Sequence, residues 1–372
     1  MADTPPSSRI EPLVIEDASQ LTPEWLSAML AAAGHPARVR SFRHRAVGTG
    51  QMAHSERIEL DYFPAEPASS SRAGSGAAPP ASVVGKFASP SPQSRASGAS
   101  GGYRAETRFY TDLARRLPIR TPRCLYGAIA PDQATFTLIL EDLAPAVQGD
   151  QIAGAPDDRI EAAVRNLAGL HAPLWNSPEL DRLDWITSGA SELFARYVEM
   201  ATPAFLDRYA DRLAAEDRDV LERFAAGVQR WVARRPADRT LVHGDYRLDN
   251  LLFRDGPQGC VVTAVDWQTL SVGCGGQDLG YLLGNSCEPA QRRAHERRML
   301  EAYREALAAL GLERRAEDVF ADYCYGSFQG PVVTVLGAMA VGRTERGDAM
   351  FMAMARRSAA QIRDLDALSL LD

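Results

Sequence analysis

The sequence predicts an α+β protein with a small, β-rich N-terminal lobe and a larger, mostly helical C-terminal lobe. Three observations carry that reading. Strand-like runs crowd into the first part of the chain, at 39–47, 55–63, 82–87 and 135–143. From about Pro156 onward, apolar and charged residues mostly alternate at helical period, with two short strand-like runs around Leu251 and Val262. A length of 372 residues suits two domains, or two lobes of one catalytic unit, rather than one small core.

The elements follow in order. Residues 1–20 read as an N-terminal tail. Thr22-Pro23-Glu24 supplies an N-cap, a proline at the first helical position and an acid in the first turn, and Gly34 closes the helix that follows. Two strands over 39–47 and 55–63 flank the turn Gly48-Thr49-Gly50-Gln51, and a third covers 82–87. The Pro/Ser/Ala/Gly stretches at about 64–80 and 88–102 read as mobile insertions. A helix over Tyr103 to Leu117 and a further strand pair ending at Thr135 to Leu143 complete an N-lobe spanning 21–143, and 144–372 forms the C-lobe. The longest apolar stretch, Gly330 to Gly342, is too short to span a bilayer and suits a buried core helix.

Composition narrows the class of function. The chain is 45% hydrophobic and 24% charged, as globular proteins are, and its net charge of −7 argues against a nucleic-acid partner, whose phosphates need clustered Lys and Arg. A small-molecule substrate is the expectation. Five scattered cysteines without CxxC spacing suggest reduced thiols rather than disulfides or zinc ligands. The first residues lack the basic and apolar regions of a signal peptide, so a cytoplasmic protein without a membrane anchor is expected. Oligomeric state is not legible.

The chemistry sits in Leu241-Val-His-Gly-Asp-Tyr-Arg-Leu-Asp-Asn-Leu-Leu-Phe253 and in Ala264-Val-Asp-Trp-Gln268. Phosphoryl transfer needs a carboxylate to orient and deprotonate the attacking hydroxyl, plus a neutral oxygen ligand and a second carboxylate for Mg²⁺. Asp245, Asn250 and Asp266 suit those roles in that order, Asp266 lying 16 residues beyond Asn250. Arg247 is placed to offset charge on a transferring phosphate, with a surface ion pair as the alternative. His243 is expected to pack behind the loop, Asp249 to point away from the site, and Asp278 to cap its helix or brace the loop.

Upstream, Val83-Val84-Gly85-Lys86-Phe87 ends a strand on a lysine, from which an ammonium can reach α- and β-phosphates. Glu106 is the acid best placed to pair with it, although Arg104 and Arg108 could satisfy Glu106 instead. The turn containing Gly48 and Gly50 could fold its amides over phosphates. Backbone groups at Glu141 and Leu143 could meet an adenine edge. His171 reads as a packing histidine, and Met350, Met352 and Met354 as core filler.

With these motifs in place, the chain resembles the aminoglycoside phosphotransferase and choline kinase-like superfamily, relatives of protein kinases. His243-Gly-Asp245-x4-Asn250 with Asp266-Trp-Gln268 looks especially like its bacterial ecdysteroid kinase-like branch. The resemblance implies a bilobal protein-kinase-like fold with ATP in the cleft. It makes Asp245 the base, Asn250 and Asp266 the Mg²⁺ ligands, Lys86 the phosphate contact, Glu106 its partner, and Glu141 and Leu143 the adenine-binding hinge. Gln268 stands where protein kinases carry a glycine, and no Ala-Pro-Glu segment follows, so a protein substrate is not expected. The function expected is ATP- and Mg²⁺-dependent phosphorylation of a hydroxyl on a small molecule. A catalytically idle nucleotide-binding module of the same fold is the alternative.

Overall fold

The computed structural model describes residues 10, 13–48, 52–64, 78–188, 191–257 and 259–372. The chain divides into two compact units, Met1–Leu113 with Pro122–Leu143, and Ala114–Thr121 with Ala144–Asp372. The excursion of Ala114–Thr121 into the second unit departs from a single break after residue 143. Its cause is local: the Arg120 amide donates to Asn166 Oδ1 at 2.9 Å, and its carbonyl accepts from the Ala264 amide at 2.9 Å.

In the first unit, helix α1 (Pro23–Ala32) starts where the Thr22 hydroxyl accepts the Trp25 amide at 3.1 Å. Strands β1 (Val39–Ala46), β2 (Ala53–Tyr62) and β3 (Ser82–Ala88) follow. The short helices α2 (Pro92–Ser97) and α3 (Tyr103–Arg108) lead to β4 (Cys124–Ile129) and β5 (Phe136–Glu141). The strands make one antiparallel sheet in the order β1-β2-β3-β5-β4. Interior β5 is buried from Phe136 to Leu140, whereas edge strand β1 is mostly exposed and rich in Arg and His. Trp25, Leu26, Met29 and Leu30 of α1 pack with Val39, Ile58, Val83, Phe87 and Ile139 of the sheet.

Two expectations change here. The tail proposed for 1–20 is not all tail: Ile15 is buried, its amide donates to Thr137 Oγ1 at 2.6 Å, and its carbonyl accepts from that hydroxyl at 2.8 Å. The insertion proposed for 88–102 is helical instead, running through α2 and a π turn at Gly98–Gly102 into α3. One of its small residues is required by packing, because a Cβ on Gly98 would overlap the Tyr103 ring. Tyr103 in turn donates to the Met52 carbonyl at 2.6 Å and accepts the Ser89 amide at 3.0 Å. Most of the stretch at 64–80 lies outside the described residues.

The second unit runs β6 (Val147–Gln148), α4 (Asp157–His171), β7 (Thr187–Ser188), α5 (Glu192–Arg208), α6 (Ala215–Ala233), β8 (Thr240–Val242), β9 (Leu251–Gly256), β10 (Gly259–Ala264), β11 (Ser271–Gly273), α7 (Gly276–Asn285), α8 (Pro289–Ala309), α9 (Ala316–Gly326), α10 (Gln329–Ala340) and α11 (Glu345–Asp364). Its strands form two small sheets, β10-β9-β6 and β7-β11-β8. Every residue of α7 is buried. The apolar helix expected near Gly330 to Gly342 is α10, packed against α5, α7 and α11. Among the described residues, no helix is long and apolar enough to cross a membrane.

Candidate active site

The loop from His243 to Asn250 leaves the buried strand β8, which pairs antiparallel with β11. Its backbone is held from several directions. The amides of His243 and Gly244 donate to the two carboxylate oxygens of Asp278 at 2.6 and 2.8 Å. The His243 carbonyl accepts from Thr269 Oγ1 at 2.7 Å, and the Gly244 carbonyl accepts from Gln329 Nε2 at 2.9 Å. Gly244 has φ +80, and a Cβ there would lie 2.7 Å from the Thr269 carbonyl oxygen, so the turn requires glycine twice over. His243 is fully buried; its Nε2 pairs with the Val265 carbonyl at 3.0 Å, and its Nδ1 accepts the Asp245 amide at 3.3 Å.

This scaffold presents Asp245. Its Oδ1 accepts from the Tyr281 hydroxyl at 2.9 Å, and its Oδ2 from Asn250 Nδ2 at 2.9 Å and Arg247 Nε at 3.1 Å. The side chain retains 18% exposure. Burial and the adjacent Asp245 carboxylate raise the Tyr281 phenol well above its ordinary value, so it stays a donor.

Asn250 and Asp266, distant in sequence, are brought together by the β9/β10 hairpin. Its register sets Ala264 opposite Leu251, and the Val265 amide donates to the Asn250 carbonyl at 3.0 Å. Asp266 then adopts a left-handed backbone, φ +67, sparsely populated for a residue with a side chain. Asn250 Nδ2 donates to both the carbonyl and the carboxylate of Asp245, which makes Oδ1 the atom of its amide suited to a cation. Among the described residues no group of three or more His, Cys, Asp or Glu side chains is arranged to hold a metal. Two oxygen donors fit a hard cation that keeps water and phosphate oxygens in its shell, as Mg²⁺ does.

A second group lies in the first unit. Lys86 Nζ donates to Glu106 Oε1 at 2.7 Å, with the two side chains 11% and 1% exposed. Arg108 pairs with Asp112. Gly48 has φ +78, whereas Gly50 lies outside the described residues.

A model of the phosphotransferase enzyme family matches residues 83–317, more than half of the chain and inclusive of both groups. The chain belongs to that family. Solved structures give this phosphotransferase a kinase-like fold. Choline kinase from Cryptosporidium parvum Iowa II matches with TM-score 0.55 and 8% identity over 88% of this chain and 91% of that one. The GDP complex of wild-type aminoglycoside 2'-phosphotransferase-IIIa matches with TM-score 0.54 and 15% identity over 92% and 100%. A choline/ethanolamine kinase family protein from Mesorhizobium loti matches with TM-score 0.50 and 18% identity over 92% and 97%. No curated protein matches the sequence. The ecdysteroid kinase-like branch is a finer placement than these matches make.

Some details of the phosphotransferase differ from expectation. Arg247 turns back onto the loop: Nε reaches Asp245, Nη1 lies 3.6 Å from Asp249 and donates to Met350 Sδ at 2.8 Å. Burial opposes its charge, and Asp245 and Asp249 more than offset that, raising its pKa. Asp249 is turned to the scaffold, accepting from the Gln151 amide at 3.0 Å and from Arg346. Asp278 braces the loop and does not cap α7. Glu141 donates its amide to the Arg123 carbonyl at 2.8 Å, so its N–H is already engaged, and the backbone of Leu143 lies just beyond the strand. Met350 and Met354 are core residues. Sequence reasoning missed Tyr281, although it lies three residues after Asp278 on one helix face. Nothing in the sequence points to Gln329, which arrives from α10.

Proposed function

We propose that this phosphotransferase is an ATP- and Mg²⁺-dependent kinase that moves the γ-phosphoryl group of ATP onto a hydroxyl of a small molecule. The carrying observation is Asp245, a carboxylate oriented by Tyr281 and Asn250 yet still partly exposed. Asp245 accepts the proton of the acceptor hydroxyl as its oxygen attacks phosphorus. Asn250 and Asp266 would hold Mg²⁺, which when bound neutralises phosphate charge. Arg247 faces the developing charge once a phosphoryl group offers it a partner besides Asp245. Lys86, oriented by Glu106, contacts the α- and β-phosphates, the amides of Gly48 and Gly50 serve the same phosphates, and the carbonyl of Glu141 and the backbone of Leu143 meet the adenine.

A cytoplasmic setting accompanies this reading, supported by five free thiols, and the acidic net charge supports a partner other than nucleic acid. The test is transfer of label from γ-labelled ATP to aminoglycosides, amino alcohols, sugars and sterol-like alcohols. GTP is run alongside, since a structural neighbour was solved with GDP. Asp245→Asn is expected to lower turnover by about 10² to 10⁴-fold and to leave nucleotide affinity nearly unchanged. Turnover at the native rate in that variant would remove the base from the mechanism.

A further inference from the structure

Successive residues of a strand point to opposite faces of its sheet, and Ile58, Val83, Phe87 and Ile139 face α1. Arg57, Val84, Lys86 and Leu140 therefore share the other face. Ser55 and Lys86 stand opposite each other on β2 and β3, and the next row on that face sets Arg57 of β2, Val84 of β3 and Leu140 of β5 side by side. The Arg57 guanidinium pairs with Asp142, just beyond β5. Its Nη2 donates to Asp142 Oδ1 at 2.9 Å, and its Nε lies 2.7 Å from Oδ2, which also accepts the Ser82 hydroxyl at 2.6 Å. Because β3 lies between β2 and β5, a side chain that starts on β2 and reaches Asp142 crosses β3. The guanidinium thus lies over the Ser82 and Val84 end of that strand. The Asp142 side chain is 6% exposed and that of Arg57 26%, so the carboxylate is enclosed while part of the cation stays open.

We propose that Arg57 is a nucleobase-binding residue whose guanidinium forms the plate on which a purine ring stacks, with Asp142 as the positioning residue that holds the plate flat. The inference rests on the nucleotide-binding reading of Lys86 and of the backbone at 141–143. A nucleotide whose phosphates meet Lys86 and whose base edge meets that backbone has to cross the Arg57 row, because the row lies between them, about 7 Å along β3 from Lys86. A carboxylate that takes two nitrogens of one guanidinium fixes its plane. A planar, weakly hydrated cation stacks on an aromatic face more readily than a lysine ammonium does.

The test measures the affinity of the full chain, with Mg²⁺, for ATP and for inorganic tripolyphosphate, which carries the phosphates without the base. Wild type, Arg57→Leu, Arg57→Lys and Asp142→Asn are compared. Arg57→Leu is expected to weaken ATP about tenfold and to leave tripolyphosphate unchanged, and Arg57→Lys, which keeps the charge without the plane, should lose nearly as much. Unchanged ATP affinity in Arg57→Leu, equal weakening of both ligands, or full recovery in Arg57→Lys overturns the proposal. Should Arg57→Leu fail to fold, Asp142→Asn carries the test: about threefold weaker binding confined to ATP supports the proposal, and no change or an equal loss of both ligands overturns it. Equal affinity of wild type for ATP and tripolyphosphate overturns the proposal and leaves the phosphate contact at Lys86 standing, and binding of neither overturns both. Arg57-dependent binding of ATP in a chain that transfers no phosphate to any acceptor would sink the kinase reading and leave Arg57 as the base-binding residue.

Discussion

Replacing Gly244 with alanine probes the turn that delivers Asp245. The backbone there has φ +80, and the new Cβ would lie 2.7 Å from the Thr269 carbonyl oxygen and 3.2 Å from Thr269 Cβ. The left-handed conformation alone costs a residue with a Cβ about 1–2 kcal/mol. The contact adds to that, since Thr269 is a backbone obstacle pinned to the loop by its own hydroxyl bond to the His243 carbonyl. A total of about 2–4 kcal/mol is expected. Gly311 provides the internal control, with φ +85 and nothing within 4 Å of an added methyl, so Gly311→Ala should show only the conformational cost. Denaturant unfolding of both variants separates the two contributions. Displacement of Asp245, the adjacent residue, should also lower turnover about 10²-fold in Gly244→Ala alone. If the two variants lose equal stability and both retain full activity, the tight-turn reasoning is refuted.

Other consequences are checked more simply. Lys86→Met leaves the Glu106 carboxyl, 1% exposed, without its 2.7 Å partner. It should lower stability by about 3–5 kcal/mol and abolish stabilisation by ATP, read by thermal unfolding with and without nucleotide. Glu288 is held down to about 2 by hydrogen bonds from Arg356 and then Arg357, below its ordinary value of 4.5. A lowered carboxylate contributes stability that is present above pH 4.5 and lost as pH falls toward 2. With the Glu288 side chain 52% exposed, solvent screening limits that contribution to about 1 kcal/mol. Glu288→Gln should therefore flatten the acid limb of a stability–pH curve by that amount and leave neutral stability lower.

The fold and the central motif were legible to different depths. Strand and helix periods located the sheet, the caps of α1 and the helical second unit, because each repeats locally. The spacing of Asp245, Asn250 and Asp266 was legible as a strand, a turn and a hairpin, and the register of β9 on β10 sets Ala264 opposite Leu251, next to Asn250. Composition misled at 88–102, where Gly98 packs under the Tyr103 ring and most of the stretch is helical. It also hid that Ile15 is core. Arg247 was placed beside Asp245 in sequence, but its turn toward Asp249 and Met350 depends on α11, about a hundred residues away. Gln329 reaches the loop from α10, a contact that no local pattern records.

Stabilisation of the folded chain by ATP, titrated with and without Mg²⁺ in wild type and Asp266→Ala, tests the central claim most directly. At a hundredfold excess over Kd, ATP with Mg²⁺ should add about 2.7 kcal/mol to wild type, and most of that should vanish without the metal or in the variant. Equal stabilisation with and without Mg²⁺, or none at saturating ATP and Mg²⁺, would contradict a metal-dependent kinase site built on Asn250 and Asp266.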